Sequence, residues 1–160
     1  MNKENIQKQI ELSYLAGFFD GEGSIFLAKN KPRGSSVNYI YHLVVSAGNK
    51  NYEVLKKLKD LFGGSIYKCS DVYKWGTTTR QAQLAAKTLK PYLIIKRKQA
   101  ELAERIYEIL DFSPMHEHCR REHGYYRSKL TPAEVNRREE MYQEFKRLNK
   151  ENSKMSEAMI

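Results

Sequence analysis

Cysteine and long apolar runs are both scarce in this chain of 160 residues. The 2 cysteines, Cys69 and Cys119, lie far apart, so reduced thiols are expected rather than a disulfide. No apolar run approaches the roughly 20 residues that a membrane-spanning helix requires, and the N-terminal residues lack the apolar core of a signal peptide. The expectation is a soluble, intracellular protein with no membrane partner.

Acidic residues are also in deficit, because 19 Asp and Glu stand against 28 Lys and Arg, for a net charge of +9. The imbalance lies mainly in residues 1–95, which carry 14 of the basic residues but only 7 of the acidic ones. A positive field attracts polyanions and says little about fold. With a membrane surface disfavoured, nucleic acid is the predicted partner.

The spacing of apolar residues and glycines predicts helices and strands in the order αββαββα, followed by further helices. The helices are expected at residues 6–20, 52–62, 80–89 and 96–110, and the strands at 24–29, 38–46, 65–69 and 73–79. Residues 6–20 are apolar on more than one side, so that helix is expected to be mostly buried. The pattern predicts an α+β fold with two antiparallel hairpins.

The C-terminal third is expected to extend a core domain at residues 1–111. The sequence Thr131-Pro132-Ala-Glu134 combines a capping threonine, a proline at the first helical position and an acid at the third. It predicts a helix over 132–148, within a helical appendage at 112–148. Residues 149–160 offer no core residues and are expected to be a flexible tail.

The sequence LAGFFDGEGS at residues 15–24 concentrates unusual features. Gly17 interrupts a helix, where glycine costs about 1 kcal/mol relative to alanine, and Ser13 lies one turn before it. Small residues at this spacing let two helices approach closely. The helix then ends in Asp20 and Glu22 among glycines, where carboxylates and carbonyls could meet a divalent cation. On the residues alone, an ordinary glycine-rich helix end with solvated acids is the alternative.

This sequence resembles the motif of the LAGLIDADG homing endonucleases. The resemblance covers roughly residues 10–110, because it continues through Asn49-Lys50, Leu61-Phe62-Gly63-Gly64, Lys90-Pro91-Tyr92-Leu93 and Lys96-Arg97-Lys98-Gln99-Ala100. It implies an αββαββα unit with a saddle-shaped antiparallel sheet that binds double-stranded DNA. Since the chain has one copy of the motif, it also implies a homodimer and a pseudo-palindromic target. The interface would contain Ser13, Ala16, Gly17 and Asp20.

The resemblance further implies a metal site at the end of the motif helix. Glu22 and the carbonyl of Gly21 correspond to the metal ligands, whereas Asp20 closes the helix terminus. Such hard oxygen ligands suit Mg²⁺, and Mn²⁺ is expected to substitute for it. Ca²⁺ is expected to support DNA binding without cleavage.

Three polar residues complete the catalytic set that the resemblance implies. Lys98 corresponds to a basic residue near the scissile phosphate, and phosphate positioning without a chemical role is the alternative. Asn49, followed by Lys50, takes the place of a glutamine that orients a water molecule. A structural asparagine at a strand end is the equal alternative for Asn49.

The DNA-reading surface is predicted from strand alternation, taking Ile25, Leu27, Leu43 and Val45 to face the helices. The expected DNA-facing residues are Ala28, Asn30, Arg33, Ile40, His42, Val44, Ser46, Lys68, Ser70 and Lys74. Ile40 and Val44 would suit thymine methyl groups, with partial burial as the alternative. A slip of one residue would exchange the two faces.

Four candidate zinc ligands occur together at His116, His118, Cys119 and His123. Their spacing matches no usual zinc module, because two ligands are adjacent and no Cys-x-x-Cys pair is present. A basic surface segment is the favoured interpretation.

The sequence thus predicts a site-specific, metal-dependent endonuclease that cuts both strands of DNA, with intron or intein homing as the role that the resemblance implies. A non-cleaving relative, such as an RNA-splicing maturase or a DNA-binding regulator, is the alternative. The presence of an acid at Glu22 together with Lys98 favours the enzyme.

Overall fold

The computed structural model describes residues 3–31, 39–109 and 131–157. Within these ranges the elements are α1 (Lys3–Glu22), β1 (Gly23–Asn30), β2 (Ile40–Asn49), α2 (Tyr52–Phe62), β3 (Ser65–Cys69), β4 (Val72–Thr78), α3 (Thr79–Leu89), a short 3₁₀ turn (Lys90–Tyr92), α4 (Arg97–Ile109) and α5 (Pro132–Glu157). This order confirms the predicted α+β fold. Among the described residues, no helix combines the length and apolar character needed to cross a bilayer.

The four strands form one open antiparallel sheet in the order β1-β2-β4-β3. Val45 of β2 lies opposite Ile25 of β1 on one side and Thr77 of β4 on the other. The residues that alternate with these along β1 and β2 are only partly buried. One face of the sheet therefore packs against the helices, and no helix or strand of the described ranges covers the other face.

The buried face is anchored by Trp75, which has no exposed surface. Its indole nitrogen donates to the carbonyl of Gly63 at 2.9 Å, so the ring needs no water partner. Gly64 follows with a φ of +85°, and a Cβ there would lie 2.4 Å from the carbonyl oxygen of Gly76. Only glycine can take this conformation at so close an approach. The Gly63-Gly64 pair thus ends α2 and starts β3 directly against β4.

The motif helix α1 is less buried than its composition suggested. Leu12, Leu15, Ala16 and Phe19 face the core, whereas Ile6, Ile10 and Tyr14 are 40%, 57% and 62% exposed. The expectation of a mostly buried helix is therefore wrong within one copy of the chain. A second face of α1 is left open by the described part of the chain.

The C-terminal helix differs from the prediction in its length. It continues without a break to Glu157, beyond the predicted end at 148, and so includes most of the segment for which a tail was expected. The helix buries Met141, Phe145 and Leu148 at one-turn spacing, and it packs against β1 and α4. Its polar contacts with the core continue past residue 148, which explains why a rule based on apolar residues ended the helix too early.

A four-group polar contact joins α5 to the sheet. Glu139 accepts hydrogen bonds from the Lys29 ammonium at 2.7 Å and from the Tyr41 hydroxyl at 2.5 Å. Gln143, one turn further along α5, donates to the same carboxylate at 2.8 Å. These hydrogen bonds lower the pKa of Glu139 to about 2.

Candidate active site and nucleic-acid interface

The junction between α1 and β1 forms the centre of the candidate site. Helix α1 ends at Glu22 and β1 begins at Gly23, with no loop between them. A Cβ at Gly23 would lie 2.5 Å from ring atoms of Phe19, so the glycine permits the sharp turn against a buried aromatic ring. The turn leaves Gly21 and Glu22 exposed at the end of the helix.

The Asp20 side chain forms hydrogen bonds within the fold, which agrees with its predicted role at the helix terminus. It is 8% exposed, and its carboxylate accepts hydrogen bonds from the amides of Ile94 and Lys96 at 2.7 and 2.9 Å. The carboxylate thereby ties the end of α1 to the loop before α4. Two of the predicted interface residues, Asp20 and the fully buried Ala16, therefore lie inside the chain and not on its open face.

The other two predicted interface residues do lie on the open face of α1. Ser13 and Gly17 are both exposed, and within the described ranges no atom lies within 4 Å of a Cβ built on Gly17. Ile10 and Tyr14 border them on the same open surface. Small and apolar residues thus share a face that the described residues leave uncovered.

Lys96 is the lysine whose ammonium contacts the end of the motif helix, and sequence reasoning missed it. Its ammonium donates to the main-chain carbonyl of Asp20, at the carboxyl end of α1 where a cation is favourable. Burial lowers the pKa of Lys96, while the negative charges of Asp20 and Glu22 act in the opposite direction. Lys98 instead lies exposed on the first turn of α4. Both lysines belong to the basic segment Lys96-Arg97-Lys98, so the sequence alone could not indicate which of them contacts the motif helix.

Glu22 opens onto a groove on the uncovered face of the sheet. The groove is lined by Glu22 together with Ser24, Phe26, Val44, Ser46, Ala47, Gly48, Tyr67, Lys74, Trp75 and Gly76. The described residues contain no cluster of three or more His, Cys, Asp or Glu side chains that could hold a metal by itself. The two ligands predicted for one copy, the Glu22 carboxylate and the Gly21 carbonyl, are oxygen groups of the type that a hard cation prefers.

Asn49 takes part in the turn between β2 and α2. Its Oδ1 accepts from the amide of Asn51 at 2.8 Å, and Asn51 in turn caps α2 by accepting from the amide of Glu53 at 2.9 Å. This geometry favours the structural alternative for Asn49. Lys50 is exposed in the same turn.

The open face of β1 and β2 carries the residues that strand alternation predicted. Ala28 lies opposite His42, and Asn30 lies opposite Ile40, all away from the helices. Val44 and Ser46 continue the row along β2. Ile40 is 51% exposed, so partial burial does not explain that apolar residue. Burial lowers the pKa of His42, which favours a neutral ring at pH 7.

The second hairpin corrects one predicted contact. Lys68 pairs with Tyr73 on the same side as Trp75, and its ammonium lies 6.0 Å from the centre of the Tyr73 ring. Lys68 therefore points toward the helix side of the sheet. Tyr67, which was not predicted, lies opposite Lys74 on the open face. Nearly all of β3 is exposed, so its apolar pattern could not decide which side faces inward.

The remaining hairpin residue, Ser70, is exposed in a two-residue turn with Asp71 and has a φ of +54°. Arg33 and the four candidate zinc ligands, His116, His118, Cys119 and His123, lie outside the described residues.

Comparison with known proteins identifies the class of fold and motif. The family model described as LAGLIDADG endonuclease matches residues 15–100. The chain therefore belongs to the LAGLIDADG endonuclease family. Comparison with curated protein sequences gives no significant match.

Solved structures of LAGLIDADG homing endonucleases share the fold. The structure of I-CvuI with its target in the presence of Ca²⁺ superposes with a TM-score of 0.71 at 19% identity, covering 89% of this chain and 84% of that one. Another I-CvuI complex, with Mg²⁺ and uncleaved I-CreI target DNA, gives 0.59 at 23% identity over 66% and 71% of the chains. The intron-encoded I-CeuI, complexed with DNA, gives 0.55 at 18% identity over 64% and 56%.

Proposed function

We propose that this protein is a homodimeric, Mg²⁺-dependent endonuclease that cleaves both strands of a long pseudo-palindromic DNA site. One observation carries the proposal. Glu22, at the end of the motif helix, has an exposed carboxylate that lines a groove on the open face of the sheet, and the chain as a whole is positively charged. The acid beside it, Asp20, is used in folding. Glu22 is thus left available for chemistry.

In the proposed reaction, Glu22 and the carbonyl of Gly21 hold the metal ion. Bound Mg²⁺ would activate the attacking water and neutralise charge on the scissile phosphate. Lys96 supplies a positive charge that its hydrogen bond to the Asp20 carbonyl holds at the end of the motif helix, where it favours the more negative transition state. Lys98 and Lys50 are exposed cations suited to holding the DNA backbone in place.

The second copy supplies the second half of the site. One chain contributes one Glu22, and cutting both strands requires one such group for each scissile phosphate. We assign the subunit contact to the open face of α1 around Gly17, where Ile10 and Tyr14 expose apolar surface. An isologous contact across this helix brings the two Glu22 residues together near the two-fold axis.

The open face of the sheet reads the DNA in this proposal. Ala28, Ile40, His42 and Val44 offer a neutral surface along β1 and β2, and Lys74 adds a cation on β4. Apolar side chains there suit thymine methyl groups in the major groove. A non-cleaving splicing or regulatory protein would use the same surface without needing Glu22.

The test starts from a randomised pool of DNA duplexes, because selection with the full-length protein in Ca²⁺ recovers the site that it binds. The recovered duplex is then incubated with the parent protein and with Glu22→Gln in Mg²⁺. The parent should cut both strands, and Glu22→Gln should bind equally well but cut at least 1000-fold more slowly. Specific binding without cleavage by the parent would favour the regulatory alternative.

A further inference from the structure

Two asparagines of α5 reach the end of the molecule that contains the candidate active site. The Nδ2 of Asn149 donates to the carbonyl oxygen of Ile25 at 3.1 Å, and the Nδ2 of Asn152 donates to the carbonyl oxygen of Ile95 at 3.2 Å. The asparagines are three residues apart, so they lie on one face of the helix. The two carbonyls belong to β1 and to the loop before α4.

The Asn152 contact fixes the peptide unit from which Lys96 extends, because Ile95 directly precedes Lys96. The same loop is held from another direction by Asp20, whose carboxylate accepts from the amides of Ile94 and Lys96. Residues 94–96 are thus fastened between the motif helix and α5. The position of the Lys96 ammonium depends on both attachments.

The Asn149 contact acts on the strand that follows Glu22. Ile25 lies three residues after Glu22 in β1, an edge strand of the described sheet. The Oδ1 of Asn149 also accepts a longer hydrogen bond, of 3.4 Å, from the Nε2 of Gln99, which is 1% exposed. Protection of a sheet edge could explain the Asn149 contact alone. It does not explain the Asn152 contact, which is made to a loop.

We propose that Asn152 is a positioning residue for Lys96, and that Asn149 supports it by holding β1 and α4 at a fixed separation. This inference rests on the proposed endonuclease function, and it gives the C-terminal helix a role in the reaction. A displacement of about 1 Å in a catalytic group can cost about 100-fold in rate. Loss of one neutral hydrogen bond should therefore slow cleavage much more than it lowers stability.

The main test compares Asn152→Ala with Asn136→Ala in the full-length protein. Asn136 gives a matched control because it undergoes the same chemical change at an exposed position of the same helix. On the duplex recovered by selection, Asn152→Ala should slow single-turnover cleavage in Mg²⁺ by about 10- to 100-fold. Its Kd for that duplex in Ca²⁺ should stay within 2-fold of the parent value. Asn136→Ala should change neither quantity.

A double-mutant cycle separates positioning from general stability. If Asn152 acts through Lys96, the substitution Asn152→Ala should have little further effect once Lys96→Met is present. Asn152→Gln keeps the amide donor and should recover part of the lost rate. Equal slowing by Asn152→Ala in both backgrounds would overturn the proposal.

A third measurement needs neither metal nor DNA. Amide hydrogen exchange of residues 93–97 in the free protein should become at least 10-fold faster in Asn152→Ala and stay unchanged in Asn136→Ala. Unchanged exchange in Asn152→Ala would overturn the positioning role. A parent protein that cuts no DNA would overturn the endonuclease function, and the exchange measurement would still decide whether Asn152 holds the loop.

Discussion

Lys96 contacts Asp20 twice, since its ammonium donates to the main-chain carbonyl of Asp20 and its own amide donates to the Asp20 carboxylate at 2.9 Å. The first acid of the motif thereby fixes a lysine at the end of the helix that also carries the second acid, Glu22. The two acids therefore differ in role. Asp20 maintains the geometry of the site, and Glu22 faces solvent.

The first prediction concerns the two lysines of the basic string. Lys96→Met should reduce single-turnover cleavage by about 100- to 1000-fold, because in the proposed site it removes a preorganised charge that would stabilise the transition state. Lys98→Met is the matched control, and it should mainly weaken binding at raised salt. The reverse ranking, measured on the selected duplex, would return the catalytic role to Lys98.

The second prediction separates the two acids. Asp20→Asn should lower the free energy of unfolding by about 1.5–3 kcal/mol, the usual contribution of hydrogen bonds to a charged group, because the carboxylate holds two amides. Glu22→Gln should leave the urea unfolding curve nearly unchanged, since Glu22 is exposed. Equal destabilisation by both substitutions would assign Glu22 to structure as well.

The third prediction tests the subunit contact. Gly17→Leu should abolish dimerisation, because a large side chain on the open face of α1 holds two helices apart. Gly48→Ala offers a control on the sheet, where a Cβ would make only ordinary contacts. Sedimentation analysis should find Gly17→Leu as a monomer and both the parent protein and Gly48→Ala as dimers. A parent protein that is monomeric and still cuts both strands would contradict the two-fold model.

The fourth prediction concerns stability in acid. The pKa of Glu139 is held at about 2, below its usual 4.5, mainly by the hydrogen bond from Lys29 and then by that from Tyr41. Because the folded-state pKa is depressed, this contribution is present above pH 4.5 and is lost as the pH falls toward 2. Glu139→Gln should therefore be destabilised at pH 7 and approach the parent protein near pH 2–3. Urea unfolding across that range measures the difference, which partial exposure of the carboxylate makes modest.

The fifth prediction uses the corrected register of the second hairpin. Lys74 lies on the open face and Lys68 on the helix side, although both are exposed lysines of adjacent strands. Lys74→Ala should weaken DNA binding and reduce the salt dependence by about one phosphate contact. Lys68→Ala should have a smaller effect. Equal losses would show that DNA reaches around the edge of the sheet.

Local patterns in the sequence determined most of the fold. The alternation in β1 and β2 decided which residues face the helices, because an incorrect register would bury His42 and expose Val45. Glycines at 63 and 64 marked the end of α2, since their positive φ values are compatible with few other residues. The motif itself placed Asp20 and Glu22 at the end of a helix.

Only the tertiary structure decided which chemical groups meet. Lys96 and Lys98 are the same residue type in the same short basic segment, so their sequence does not distinguish them. Lys96 contacts Asp20 only because the fold brings together two segments that are 76 residues apart in sequence. The sequence did not determine which residues of β3 face the helices, because a strand that is exposed on both faces lacks an alternating apolar pattern. Helix α5 continues past its last buried apolar residue, Leu148, where Asn149 and Asn152 donate to distant carbonyls. Hydrophobic periodicity follows local burial, whereas these polar contacts arise only when separate segments pack together.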